Sequence, residues 1–227
     1  EASVLYMVRA NKVRDSVKLL ARVYKIAQGA ALMTETSFDR QFIDGTAELV
    51  PNYTLEELLY RIFNEVGLPE YSAEEKALAE ALRKTYDVPV APGIAAGFDA
   101  DIAADVAERT NGLSDALCGF IMPEYHSAGF VAGSTHVGDV SWQTPAAQVH
   151  CVTFPFGAAG HSWQNVSSGA SGIGHKGLIN AAKIIACAAI ELMNDPETLQ
   201  KARDEFARRT KSGYVCPIEP DAVPVVI

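Results

Sequence analysis

Four of the five histidines and both tryptophans of this 227-residue chain fall between Leu113 and Ser171, together with many of its glycines, which makes this stretch the richest in groups able to do chemistry. Gly160-His161-Ser162-Trp163-Gln164 follows a short turn, 155–159, after the apolar segment 148–154, which reads as a strand. A histidine on a loop at a strand end is well placed to ligate a metal, because the strand holds the backbone while the loop leaves the imidazole exposed. One histidine specifies no metal site, and taken alone His161 reads more plainly as a hydrogen-bonded loop residue. The second cluster runs from Gly133 through Ser134, Thr135, His136 and Asp139 to Trp142. Its hydroxyls, amides and carboxylate suit a pocket wall or the orientation of a ligating imidazole. They equally suit a turn and helix start, with Ser134 or Thr135 as cap and Asp139 favouring the first-turn dipole.

Other chemistries fail on detail. The glycine-rich run Ser167–Gly177 precedes a long helix, yet ends Gly174-His175-Lys176-Gly177 where a phosphate loop needs Gly-Lys-Ser/Thr, so a close-packed loop is the better reading. A serine nucleophile elbow needs Gly-x-Ser-x-Gly, and here Ile173 stands where the last glycine should be. The four cysteines, Cys118, Cys151, Cys187 and Cys216, are scattered singly and read as reduced, mostly core thiols.

The elements that must position these residues follow from periodicity. Segments 3–10 and 38–47 read as strands flanking a helix from Asn11 to about Met33, a compact α+β unit ending near Pro51-Asn52. Helices follow from Thr54 to Val66, with Thr54 as cap and Glu57 three residues on, and from Ser72 to about Tyr86 with Glu75 completing a capping box. Residues 88–97 read as a loop, 99–110 as helix, Gly177–Met193 as an apolar, alanine-rich helix and Glu197–Lys211 as a charged one. Short strands alternating with such helices predict an α/β layer.

With 48% hydrophobic and 21% charged residues, the chain can bury a full core. A net charge of -9 speaks against nucleic-acid or anionic-membrane surfaces, which call for clustered Lys and Arg. No uninterrupted apolar run reaches the roughly 18 residues of a membrane span, and no secretory segment opens the chain, so a cytoplasmic location is expected.

Five separated segments then carry a resemblance: Lys25–Thr34, Phe42–Gly45, Val50–Leu55, Gly133–Trp142 and Gly160–Gln164. In this order they resemble the aminobenzoyl-glutamate-utilising branch of the M20-type zinc amidohydrolases. The resemblance implies an α/β fold: 1–49 as the second half of a lid and dimerisation domain, 50–227 as the closing half of a catalytic domain. It implies hydrolysis of an amide bond in a small N-acyl amino acid and two zinc ions, with His161 as the last metal ligand. It also implies a homodimer or heteromer formed through the lid. Asn52 matches an asparagine thought to meet the substrate carboxylate, and Arg9 a family arginine suited to a charge-assisted contact; Ser134 and Thr135 would face substrate. The remaining ligands and the general-base glutamate belong to a half of the family pattern not matched here, so this chain alone would be inactive. Relatives usually read Ser-Thr-Asp, whereas this chain has His136 at the third position. The other function class is a catalytically silent subunit that binds partners through an exposed lid-sheet edge.

Overall fold

In the computed structural model, residues 2–87, 99–110, 115–126 and 133–223 are described; the loop expected over 88–97 lies outside them, as does Leu113. Eight helices form among them: α1 (Val13–Met33), α2 (Tyr53–Val66), α3 (Ala73–Arg83), α4 (Ala100–Thr110), α5 (Val137–Ser141), α6 (Trp163–Gly169), α7 (Gly172–Asn194) and α8 (Pro196–Arg209).

Local capping explains several boundaries. The Ser72 hydroxyl accepts from the Glu75 amide at 3.2 Å and the Glu75 carboxylate accepts from the Ser72 amide at 2.7 Å, the reciprocal pair expected at the start of α3. At α2 the cap is Asn52 rather than Thr54. Asn52 Oδ1 accepts from the Leu55 amide at 3.1 Å, while Glu205 of α8 accepts from the amides of Tyr53 and Thr54, each at 3.0 Å, and from the Thr54 hydroxyl at 2.8 Å. A carboxylate on the electropositive end of α2 supplies from afar what a local capping box would have supplied. The apolar helix starts at Gly172, five residues earlier than periodicity indicates, because Ser171 accepts from the Ile173 amide at 3.2 Å.

The expected α/β fold with a partial α+β lid is overturned: among the described residues there is no strand and no sheet. Alternation marks which face a strand would bury, but a strand exists only where its amides and carbonyls find a ladder partner. Segment 3–10 finds none, and Val4, Leu5, Tyr6 and Met7 are each more than 70% exposed. Segment 148–154 forms no ladder either, and it contributes side chains instead: Val149 and Cys151 pack against α2 and α7.

The chain divides into two compact units. The first comprises Glu1–Pro51, Gly133–Ala146 and Phe206–Ile227. Within it α1 buries only Val13, and polar links hold the helix: the Val13 amide donates to Glu48 at 2.9 Å and Arg14 donates to the carbonyl of Ser212 at 2.7 Å. The second unit comprises Asn52–Ala132 and Ala147–Glu205 and holds the main core. Leu58 and Ile62 of α2 meet Ile184 and Ala188 of α7, and a second cluster joins Ala79, Ala116, Leu117 and Ile173. α7 is apolar enough to pass for a membrane span by length and composition, although the linear sequence shows no uninterrupted apolar run; one of its faces packs on α2 and α6.

Candidate functional site

The segment Gly133–Trp142 spends most of its polar groups on its own unit. Ser141 Oγ accepts from the buried Val50 amide at 2.8 Å and donates to the Gly138 carbonyl at 2.6 Å. Asp139 Oδ1 accepts from the Ala47 amide at 3.2 Å and from the Tyr214 hydroxyl at 2.9 Å, and Trp142 Nε1 donates to the Glu48 carbonyl at 2.9 Å. Gly138 is required for this approach, since a Cβ there would lie 2.1 Å from the Ala47 carbonyl oxygen. The segment thus clamps residues 47–50. Partial desolvation, then the bond to Asp139, raises the Tyr214 phenol above its ordinary value, although the residue itself is still 37% exposed. His136 sits between two carboxylates, 3.2 Å from Asp44 and 3.8 Å from Asp139, and carries no side-chain cap at α5. Ser134 and Thr135 are exposed, and Thr135 Oγ1 accepts from the Val137 amide at 3.3 Å. Arg9, also exposed, donates to the Met7 sulfur at 2.8 and 3.0 Å.

His161 lies in the second unit on the short connection before α6, exposed, with φ 56°. That left-handed conformation is uncommon for a residue with a Cβ, and Glu35 shares it at φ 55°. Its neighbours anchor it: Ser162 caps α6 and donates to the Ala159 carbonyl at 2.7 Å, and Gln164 donates to the Thr85 hydroxyl at 3.0 Å. Asn52 is 2% exposed and its amide nitrogen donates to the Ala202 carbonyl at 2.9 Å. The glycines after α6 pack closely: a Cβ on Gly177 would lie 2.2 Å from the Val152 carbonyl, and one on Gly174 2.4 Å from that of Gly169. Lys176 is taken by the Glu70 carbonyl and Glu75, each at 2.7 Å, and this ion pair holds the Glu75 carboxyl below its usual range.

A donor group not anticipated from the sequence lies at the start of α2. Among the described residues, Glu56, Glu124 and His126 place one donor atom each within 4.8 Å of one another. His126 Nε2 is 2.9 Å from Glu124 and 4.0 Å from Glu56, and its ring stacks on Tyr53 at 3.8 Å between centroids. Two carboxylates and one imidazole this close together are a donor set that suits a divalent cation. Its signal was Glu124-x-His126 in sequence, but the third member, Glu56, lies far back along the chain and only folding brings it near. His161 and the four cysteines join no such group among the described residues; Cys187 and Cys216 are exposed rather than core thiols.

The chain is 35% identical over 230 residues to a subunit of the p-aminobenzoyl-glutamate hydrolase of Escherichia coli (strain K12). It is similar to that subunit. The match covers 99% of this chain and 47% of the relative, so the chain spans about half the length of the protein it matches. The likeness to aminobenzoyl-glutamate-utilising proteins that the five motifs carry is therefore borne out over 99% of this chain. No family model matches, and no solved structure matches.

Proposed function

We propose that this chain is one half of an M20-type aminobenzoyl-glutamate amidohydrolase and contributes His161 as a zinc ligand. The observation that carries the reading is the 35% identity along 99% of the chain to a protein named as part of that hydrolase. The exposed imidazole of His161, held in a left-handed backbone between an anchored turn and the cap of α6, supports it.

The described residues do not by themselves build a zinc site at His161. Zinc takes three or four protein donors, and no second His, Cys, Asp or Glu gathers with His161 into a group of three among the described residues. The other ligands and the general base would come from polypeptide equivalent to the unmatched part of the relative. When bound in such hydrolases, zinc supplies a Lewis acid and a water acidified toward neutral pH. The second unit's own part is to hold one imidazole in place; in the first unit, taken by itself, exposed Arg9, Ser134 and Thr135 are donors suited to a small anionic amide. A substrate role for Asn52 requires it to exchange the Ala202 carbonyl for a substrate oxygen. The relative's name makes it one member of an assembly, and we place this chain in a comparable one, as a homodimer or heteromer.

The test is zinc content by elemental mass spectrometry and hydrolysis of aminobenzoyl-glutamate, on this chain combined with a polypeptide equivalent to the relative's unmatched half. Near-stoichiometric zinc with turnover, both lost in His161→Ala, is the expected result. A folded complex that is metal-free and inert overturns the reading.

A further inference from the structure

We infer that the outward face of α7 is the docking surface for a polypeptide equivalent to the half of the relative that this chain does not match. The inference rests on the hydrolase reading for the identity of the partner and on the geometry of α7 for the place.

α7 buries one stripe, Ile173, Gly177, Asn180, Ile184 and Ala188. Its opposite face is apolar as well: Leu178, Ile179, Ile185, Ile190 and Met193 are between 51% and 82% exposed. Between Leu178 and Ile190 the only exposed charge is Lys183. At 1.5 Å per residue, the strip from Leu178 to Met193 is about 22 Å long. A helix apolar on every side belongs between two layers, and here one layer is present. Scattered exposed leucines are ordinary, but a continuous strip of this size marks an interaction surface. Ile185 also borders a groove of about 410 Å³ lined by Leu55, Leu59, Val149 and Leu192, so the strip continues into a recess able to take an anchoring side chain.

Three occupants fit an apolar strip, and the observations favour one. A second copy would pair the strip about a two-fold axis and bring Lys183, near its midpoint, against its own counterpart. A bilayer fits poorly with the buried stripe on the other side, where Asn180 donates to the Gly67 carbonyl at 3.2 Å, and with a net charge of -9. A folded polypeptide layer fits: the relative carries about as much chain again as is matched here, and exposed Ala182, Ala186 and Ala189 allow close backbone approach.

The experiment combines the full 227-residue chain with that separately expressed half and measures the Kd and stoichiometry by analytical ultracentrifugation. The expected result is a 1:1 complex weakened about 30-fold or more by Ile185→Glu or Ile190→Glu. Gln200→Ala on the exposed face of α8 should leave it unchanged, and circular dichroism should show each variant folded. A complex indifferent to the α7 substitutions overturns the inference. So does self-association, or flotation with anionic vesicles, that the same substitutions abolish. Hydrolysis measured in the same samples separates the two readings: an α7-dependent complex without turnover keeps the docking surface and removes the hydrolase, and turnover untouched by Ile185→Glu does the reverse.

Discussion

The two polar loops that drew attention in the sequence, 133–142 and 160–164, differ in what they do with their polar groups. In the first, Ser141, Asp139 and Trp142 are bonded to backbone some 90 positions away, and Gly138 lets two stretches of main chain touch. In the second, the flanking residues are anchored but His161 is left exposed in a strained conformation. Groups spent on the fold stabilise it; groups held in place and left unspent are the ones available for binding. Similar residue types therefore carry different weight.

Substitutions that discriminate the loops test this contrast, and the largest effect belongs to Gly138→Ala. A Cβ directed at the Ala47 carbonyl must displace backbone, so about 3 kcal/mol of stability should be lost in urea denaturation. Gly160→Ala, with open space around it, should cost less than about 0.5 kcal/mol; equal losses would end the comparison. Ser141→Ala should follow at about 1–2 kcal/mol, because the buried Val50 amide loses its acceptor. His161→Gly should raise the melting temperature slightly, with relief of left-handed strain contributing about 0.5–1 kcal/mol, while abolishing the zinc uptake proposed above. A marked destabilisation there would show that His161 serves the fold after all.

The smallest effect is one of pH. The Tyr214 phenol, 37% exposed, is raised above its ordinary 10.0 by partial desolvation and by its bond to Asp139. A raised folded pKa gives stability that is fully present below about pH 10 and lost as pH rises through the folded value. Between about pH 8 and pH 11 the parent chain should therefore lose more stability than Tyr214→Phe. Parallel losses in the two would show that the phenol does not report on the clamp.

Some helix boundaries, and the likeness to the hydrolase subunit, could be read without the structure. Ser72 with Glu75, Gly67, and the Asn194-Asp195-Pro196 stop act within one turn, so their residues contain the information. The five motifs placed the chain beside the hydrolase for the same reason: short runs of residue types need no partner to be recognised. What only the tertiary structure decided involves distant partners. Among the described residues, the segments that read as strands have no ladder, α2 is capped by Glu205 of α8, Glu56 joins Glu124 and His126, and half of an apolar helix faces outward. Periodicity tells which side of an element is apolar; whether another part of the chain lies against that side depends on packing between residues far apart in sequence.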